Sequence, residues 1–210
     1  LSLISTDADA AQGPNLRMYR NSGSPADNDV LGMIEFEGRN DNSQDVVYAQ
    51  VGAQAIDVSD GSEDTNYFIN TIVDGTLRNR INARPTEVVI NDESIDVDFR
   101  VESDNLTHAL FVQGSDGNVG LGISNPSDYY ANNLVVGAGA EGGITIASSA
   151  TTYNNYLAFG DSSSGVGRYA GLISYDHNID AMHFRTNSLE RMRITSAGLV
   201  GIGTSSPQTP

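Results

Sequence analysis

Apolar and polar residues alternate with a period of two along most of the chain. Segments such as GMIEFEG from Gly32 and EVVIND from Glu87 are short, rich in β-branched or aromatic residues, and bounded by Asn, Asp, Gly or Ser. This pattern is typical of half-buried strands joined by turns. The segments with this pattern are NLRMYRN (15–21), GMIEFEG (32–38), VVYAQVGAQAIDV (46–58), YFINTIV (67–73), EVVIND (87–92), DFRVES (98–103), HALFVQG (108–114), NLVVG (133–137), GITIASS (143–149), YLAFGD (156–161), GLISYD (171–176), MHFRTN (182–187) and RMRITSAG (191–198). We therefore predict an all-β fold of around a dozen strands.

Helical periodicity is almost absent from the sequence. The one candidate helix is TNSLERMR, which begins at Thr186. Its two arginines, Arg191 and Arg193, alternate with Met192 and Ile194, which favours a strand because successive side chains of a strand point to opposite faces. We predict a strand here too.

A ten-residue motif occurs twice, as GNVGLGISNP from Gly117 and as GLVGIGTSSP from Gly198. The copies lie 81 positions apart (198 − 117 = 81) and share Gly, Val, Gly, Gly, Ser and Pro. An interior glycine costs about 1 kcal/mol in a helix relative to alanine, so the motif predicts extended backbone that ends at the proline. A phosphate-binding glycine loop is disfavoured, because a helix would have to follow the glycines directly. The glycine face of such a strand allows another backbone to approach closely.

The similarity between the two halves extends upstream of this motif. LGMIEFEG from Leu31 matches AGLISYDH from Ala170 in the order of glycine, apolar residue, isoleucine, polar residue, aromatic residue and acid. We predict two β modules: 1–127, with an insertion at about 46–83, and 128–210, which ends in the glycine-rich strand and proline turn. Tandem units that bury little on their own indicate linear, fibre-like stacking.

The composition provides little material for a core, since 39% of residues are hydrophobic and 22 are glycine. A single chain of thin β modules would expose sheet edges along its length, whereas three chains wrapped around one axis would cover them. We therefore predict an elongated, intertwined homotrimer, with backbones crowded at the glycine faces and with Val119, Leu121, Val200 and Ile202 at the trimer axis. A monomeric β-sandwich is the alternative.

The chain is strongly acidic, with 27 acidic residues against 11 basic ones and a formal net charge of −16. This charge disfavours direct binding to nucleic acid or to an anionic membrane. The sequence has no apolar run of the roughly 18 residues that a membrane-spanning helix requires. Cysteine is absent as well, which excludes disulfides and thiolate chemistry. We expect neither nucleic acid as a partner nor insertion into a membrane.

The repeated segments resemble a family of fibrous proteins. VGIGTSSP, preceded by RMRITSAG, and the run from Glu87 to Ile123 resemble the tail fibres and related structural proteins of tailed bacteriophages, especially marine phages. The resemblance covers nearly the whole chain, and it implies a virion appendage that contacts other tail or appendage proteins. In that family such segments commonly precede a C-terminal intramolecular chaperone of the endosialidase type. We expect that domain to be released by self-cleavage or to lie outside this sequence, so none of its proteolytic residues has a counterpart here.

The histidines suggest no strong catalytic or metal site. His177 and His183 lie within seven positions of Asp176 and Asp180, but a zinc site requires three or four such ligands on converging elements. Serine, histidine and aspartate are common in the chain, yet no GxSxG nucleophile elbow is present. We predict no metal site at these histidines.

Pairs of closely spaced carboxylates are expected from composition alone in a chain this acidic. Glu35 with Glu37, and Asp96 with Asp98, each alternate along a segment. This spacing places both members on one strand face, which favours a solvated face over a glycosidase pair. We therefore predict a protein that is not an enzyme and has no cofactor.

Two acidic turns concentrate oxygen ligands of the kind that calcium prefers. They are DVSDGSED (57–64) and NDESIDVD (91–98). Neither fits the twelve-residue loop of a helix–loop–helix calcium site. Solvated acidic loops are the favoured interpretation, and structural calcium remains the alternative.

Two loops combine aromatic and polar residues in the way that recognition surfaces do. NPSDYYANN (125–133) contains Tyr129 and Tyr130, and ATTYNNY (150–156) contains Tyr153 and Asn154. Tyrosine rings can stack on sugar rings, and asparagine can pair with hydroxyl groups. We predict that these four residues bind a host receptor; the alternative is that the tyrosines pack as spacers between modules.

Taken with the resemblance, these patterns predict a structural component of a virion at the particle surface. Its partners would be two further copies of itself and a host cell-surface glycan or protein. Two other classes remain open: a fibre-borne polysaccharide depolymerase, and a spacer or adhesin stalk that binds no receptor.

Overall fold

The computed structural model describes residues 2–4, 6, 13–137 and 142–209, and this part of the chain is all-β, as predicted. Short 3₁₀ turns cover Pro126–Asp128 and Gly165–Tyr169. The strands are β1 (Val30–Arg39), β2 (Asp45–Asp57), β3 (Asp64–Val73), β4 (Thr76–Ala83), β5 (Val88–Ile90), β6 (Phe99–Ser103), β7 (Leu106–Val112), β8 (Val119–Leu121), β9 (Leu134–Val136), β10 (Asn154–Phe159), β11 (Gly171–Asp176), β12 (Ala181–Thr186), β13 (Leu189–Ile194) and β14 (Val200–Ile202).

The chain forms two compact units, Leu1–Gly139 and Ala140–Pro210. The first unit contains two sheets. The first sheet has the order β1-β2-β3-β4-β5, and the second sheet has the order β6-β7-β8-β9. Neighbouring strands are antiparallel except for β8 and β9, which run parallel. Strands β2, β3 and β4 are the segment that the sequence marks as an insertion, and they lie between β1 and β5.

The second unit contains the third sheet, an antiparallel meander with the order β10-β11-β12-β13-β14. Consecutive strands pair throughout. Short turns join β11 to β12 and β12 to β13, whereas the longer loop 160–170, with the second 3₁₀ turn, joins β10 to β11. The segment TNSLERMR contributes to β13, which confirms the strand prediction there.

Each sheet has a continuous row of apolar side chains that crosses all of its strands. Residues directly opposite one another on paired strands share a face, so each row lies on one side of its sheet. The rows are Ile34, Val51, Ile69, Ile81 and Ile90 in the first sheet; Phe99, Val112, Val119 and Leu134 in the second; and Leu157, Ile173, Phe184, Met192 and Ile202 in the third. We call these the apolar rows.

The opposite face of the first sheet has a polar row instead. Gln50 Nε2 donates a hydrogen bond to Glu35 Oε1 over 2.7 Å, and Asn70 Nδ2 donates to Gln50 Oε1 over 3.3 Å. The three side chains occupy directly opposed positions on β1, β2 and β3. The first sheet is therefore amphipathic, with hydrogen-bonded polar groups on one face and branched aliphatic groups on the other.

The repeated glycine motif adopts the same backbone in both units. In the first, β8 ends at Leu121, and Gly122, at φ 75°, donates its N–H to the carbonyl of His108 over 2.9 Å. In the second, Gly203, at φ 70°, donates to the carbonyl of Arg191 over 2.9 Å. Glycine adopts this left-handed conformation far more readily than other residues, which explains why both copies of the motif have glycine at this position.

The close approach that the glycines predict takes place within the chain rather than between chains. A Cβ atom on Gly120 would lie 2.5 Å from the carbonyl oxygen of Ile123, and one on Gly201 would lie 2.5 Å from that of Thr204. Pro126 is fully buried beneath the same turn. This corrects the expectation that the glycine faces serve crowding of neighbouring chains: the chain's own turn covers them, and the apolar rows lie on the other face.

Two strand predictions were wrong, and one strand was missed. The segments 15–21 and 143–149 alternate correctly but do not pair with any strand in the described structure. Met18 nevertheless lies against Gly32 of β1, so a period of two here marks side-chain packing over a sheet without a backbone ladder. Strand β4 was missed because its sequence, TLRNRINA, is dominated by arginine and asparagine, which are not typical strand residues.

No helix in the described part of the chain is both long enough and apolar enough to cross a bilayer.

Replacing Gly120 with alanine tests the role of the glycine motif. We expect Gly120→Ala to destabilise the first unit by about 1–3 kcal/mol, because the new methyl group meets a backbone carbonyl that cannot move aside cheaply. Gly23→Ala is the matched control, since a Cβ there meets no atom within 4 Å. Urea unfolding measures both, and equal midpoints for the two variants would contradict the proposed role.

Candidate functional site

The loop after the first glycine motif presents two exposed tyrosines. The 3₁₀ turn at Pro126–Asp128 is held by the buried Pro126 ring, and the N–H of Tyr129 donates to the Pro126 carbonyl over 3.2 Å. Tyr129 is 49% exposed, and Tyr130 is as exposed as it would be in an extended peptide. Both rings are therefore accessible to a ligand from solvent.

The second predicted loop leads into β10. The N–H of Tyr153 donates to the carbonyl of Ala150 over 3.4 Å, and the Tyr153 ring is 61% exposed. Asn154 is the first residue of β10, half-buried and opposite Asp176. The structure therefore brings Tyr153 and Asn154 together, whereas Tyr129 and Tyr130 belong to the other unit.

A groove of about 300 Å³ runs beside the start of β10 in the second unit. Its lining includes Asn155 and Tyr156, which directly follow the predicted pair, together with Tyr175 and His177 from β11 and its end. Ile144 and Ile146 form an apolar part of the wall. Amide, phenol and imidazole groups thus surround an apolar floor.

Hydrogen bonds fix the polar side of this groove. The Asn155 side-chain NH₂ donates to the carbonyl of Ile146, and its Oδ1 lies 3.3 Å from Nε2 of His177. The rings of Tyr175 and His177 meet edge to face with their centroids 4.8 Å apart. The Tyr175 hydroxyl donates to Asp180 Oδ1 over 3.0 Å, and this bond to a carboxylate raises the pKa of Tyr175 above its usual value. The arrangement offers ordered donors and acceptors of the kind that bind hydroxyl groups.

Sequence analysis missed Tyr175 and Asn155 as members of this site and considered His177 only as a metal ligand. Asn155 and Tyr175 are directly opposite in the β10–β11 hairpin. That register depends on the 3₁₀ turn and loop that join the two strands, so alternation alone could not place the two residues together. The local signal available was the run of polar and aromatic residues from Tyr153 to Tyr156.

The four residues predicted for the trimer axis all lie on the face of their sheet that has the apolar row, and Val119 is half-buried there. Val119 and Leu121 belong to β8, and Val200 and Ile202 belong to β14. Their side chains point to the same side as the apolar row of their sheet, because they alternate with the inward-facing Gly120 or Gly201. Leu121 is 38% exposed, Val200 is 53% exposed and Ile202 is 78% exposed.

The other face of the third sheet carries buried polar groups. Ser174 and His183 are directly opposite on β11 and β12, and Arg193 on β13 continues their row. The Ser174 hydroxyl and both ring nitrogens of His183 have no hydrogen-bond partner among the described residues. A nucleophile and its general base would be hydrogen-bonded to each other, and these two groups are not.

The carboxylates of the two acidic turns are occupied by donors of the protein. Hydrogen bonds from Ser59 hold the pKa of Asp57 below its usual value. The pKa of Glu93 is lowered by a hydrogen bond from Arg78 and by the backbone N–H of Asn79. In the residues that the structure describes, no group of three or more His, Cys, Asp and Glu side chains is placed to hold a metal ion. Solvated acidic loops stay the prediction for these turns, and structural calcium stays the alternative.

A bidentate ion pair connects two positions at the edge of the buried polar face. Nε and Nη2 of Arg193 donate to Oε1 and Oε2 of Glu190 over 2.6 and 2.8 Å, and the two side chains are only 18% and 23% exposed. The Arg193 hydrogen bonds hold the pKa of Glu190 below its usual value of 4.5. The pair therefore favours the folded state only while Glu190 is ionised.

Comparison with protein-family models and with curated proteins finds no match to this chain.

Replacing Glu190 with glutamine tests the ion pair through its pH dependence. Because folding lowers the pKa of Glu190, the stabilisation from the ion pair is complete above pH 4.5. It is lost as the pH falls through the lower pKa that Glu190 has in the folded state. We expect Glu190→Gln to cost about 1–2 kcal/mol at neutral pH and progressively less on acidification below pH 4.5.

The control is Glu102→Gln, which removes the partner of Arg100 from a pair whose side chains are 51% and 48% exposed. Exposed pairs contribute about 0–1 kcal/mol, so this variant should unfold almost like the parent. Unfolding curves at several pH values measure both variants, and a pH-independent loss in Glu190→Gln would overturn the assignment.

Proposed function

We propose that the chain is a structural segment of a fibrous virion appendage of the phage tail-fibre type, which assembles as a homotrimer and presents loops to the host surface. The observation that carries the proposal is that each sheet has an apolar row whose members on the outer strands, such as Ile34, Leu134 and Ile202, are left exposed by the described chain. The resemblance of both glycine motifs to tail-fibre segments supports the same assignment.

The shortage of buried apolar groups is pronounced. Among the described residues, the buried apolar side chains are Ala55, Phe111, Val135, Leu172 and Ala181. By contrast, members of the apolar rows such as Ile34, Leu157 and Ile202 are 43%, 51% and 78% exposed. Removing apolar surface from water stabilises a protein by roughly 25 cal/mol per Å², so covering these faces would supply much of what the isolated chain lacks.

A second copy of the same chain is the natural cover for such faces. The rows are continuous across whole sheets, and large exposed apolar patches mark interfaces between proteins. A closed ring of three identical chains gives each chain two neighbours, so exposed apolar members of these rows can be buried between copies. The placement of Val119, Leu121, Val200 and Ile202 on these faces supports their role at the axis.

Host attachment is the part of the proposal supported by the loops. Tyr130 and Tyr153 lie in loops beside the sheets and are largely exposed, and the groove beside β10 adds hydrogen-bonded polar groups close to Tyr153. Rigid scaffolds with exposed loops are the usual way in which β proteins present recognition residues.

The first prediction concerns assembly. The parent should have the mass of a trimer in light scattering coupled to size exclusion. Ile202→Asp should shift it towards monomer, because three carboxylates would enter one apolar axis without partners. Thr204→Asp is the control, since it adds the same charge two residues away and keeps an acceptor for the Ser206 N–H that Thr204 Oγ1 now binds.

A folded parent protein with the mass of a monomer would contradict the proposed trimer. Equal behaviour of Ile202→Asp and Thr204→Asp would move the interface away from the apolar face of β14. Because Ile202 is 78% exposed in the single chain, unfolding of the monomer is not the expected reason for a loss of assembly.

The second prediction concerns attachment. Tyr130→Ala and Tyr153→Ala should weaken saturable binding to host cells and leave the melting temperature of the assembly unchanged. Tyr19→Ala, which removes an exposed tyrosine outside both loops, should bind like the parent. A lowered melting temperature in either loop variant would show instead that its ring packs between chains.

The same preparation separates the competing functions. Incubation with host surface glycan would release reducing ends over time if the chain were a depolymerase. Saturable cell binding without release of reducing ends supports a receptor-binding fibre. If neither cell binding nor release is observed, a spacer is the remaining function.

A further inference from the structure

The first unit contains a second ligand-sized space, distinct from the exposed loops. A cleft of about 530 Å³ lies where the ends of β4 and β5 meet the start of β6 and the end of β7. Its volume falls within the range of about 300–1,000 Å³ that is typical of small-molecule sites. The first and second sheets both contribute to its lining.

Arg80 supplies a fixed donor to this cleft. The register of β3 with β4 shifts beside Arg80, between the Ile69 and Asn70 pairs, so the arginine lies at an irregularity in the ladder. Its Nε donates to Thr71 Oγ1 over 2.6 Å, which holds the guanidinium in place. The Nη1 atom is buried and has no hydrogen-bond partner among the described residues. A buried guanidinium N–H without a partner is costly, and a ligand acceptor would remove that cost.

Asn91 and Asp98 supply fixed acceptors. The Asn91 side-chain NH₂ donates to the Ile95 carbonyl over 2.7 Å, so its orientation is set, while its Oδ1 is buried and without a partner in the described structure. Asp98 Oδ1 accepts the N–H of Gly114 over 2.9 Å, which fixes the carboxylate at the rim. Arg80 and Asn91, which both line the cleft, therefore hold an unused donor and an unused acceptor.

The remaining wall is apolar and includes an aromatic ring. Phe99, the first residue of β6, is 37% exposed, and Ile81, Val97 and Val112 lie around it in the cleft. A Cβ on Gly114 would lie 2.5 Å from the backbone nitrogen of Val97, so the two segments that frame this wall are in close contact. The wall is thus built into the fold.

We propose that this cleft binds a neutral sugar residue of a glycan. A sugar hydroxyl both donates and accepts, which matches the unpaired Arg80 Nη1 and Asn91 Oδ1, and the apolar face of a pyranose ring fits against Phe99. The Asp98 carboxylate in the cleft and the net charge of −16 oppose an anionic ligand such as an acidic sugar. The proposal rests on the proposed attachment function for the source of the glycan, but its geometry is independent of the tyrosine loops.

Saturation-transfer NMR on the full chain tests the proposal with the methyl glycosides of glucose, galactose and mannose, and with methyl glucuronide as the acidic probe. We expect transfer to at least one neutral glycoside and none to the glucuronide. Arg80→Gln should weaken the binding by about tenfold or more, since a charge-assisted hydrogen bond is lost. Phe99→Leu, which keeps the apolar wall but removes the ring, should weaken it several-fold.

Arg100→Gln is the matched control. It removes an arginine one position along β6 whose guanidinium pairs with Glu102 outside the cleft, and binding should be unchanged. A melting curve for each variant shows that it is folded.

Each other result overturns the assignment. Absence of transfer from all the neutral glycosides would reject the cleft as a sugar site, as would filling of the cleft by a neighbouring copy that blocks binding. Preference for the glucuronide would reject a neutral ligand, and equal binding by Arg80→Gln, Phe99→Leu and the parent would place the sugar elsewhere. Host-cell binding by the parent is scored separately, so loss of the cleft proposal and loss of the attachment function are distinguishable.

Discussion

Coverage of the apolar rows is the constraint on which the structure depends. Each sheet has a branched aliphatic or aromatic row that crosses all of its strands, and the described chain covers these rows only in part. Met18 packs against Gly32 of the first sheet, whereas row members such as Leu157 and Ile202 stay exposed. A chain with 39% hydrophobic residues has little apolar material for a second layer. Much of the apolar surface therefore lies on the faces of the sheets rather than in a central core.

The glycine motif explains why the two faces of a sheet have different roles. At Gly120 and Gly201 the chain turns back on itself, and the carbonyls of Ile123 and Thr204 occupy the space of a side chain. One face of the second and third sheets is thus closed locally by a ten-residue motif. The neighbouring positions, such as Ile202, are directed to the opposite side, where Ile202 is 78% exposed.

Much of the fold was accessible from the sequence, because a period of two reports directly on strands. The period of two did not reveal β4, because arginine and asparagine dominate the sequence of that strand. Around Met18 the alternation reflects side-chain packing over the first sheet and not the pairing of a strand. The loop tyrosines could be chosen from composition alone. The groove and the cleft could not be predicted from the sequence, because each brings together residues whose proximity depends on strand register. These are Asn155 with Tyr175 in the groove and Arg80 with Phe99 in the cleft.

The parallel pairing of β8 with β9 has a mechanical consequence. When the two ends of an antiparallel hairpin are pulled apart, its hydrogen bonds break one after another. When two parallel strands are pulled at the start of the first strand and the end of the second, the force acts along the strands and all of the hydrogen bonds between them bear it together. Tension along the polypeptide would therefore peel the meanders more easily than it would separate Val119–Leu121 from Leu134–Val136. In the first unit this short pair closes the base of the loop with Tyr129 and Tyr130, so the two ends of that loop separate only when the bonds between β8 and β9 break.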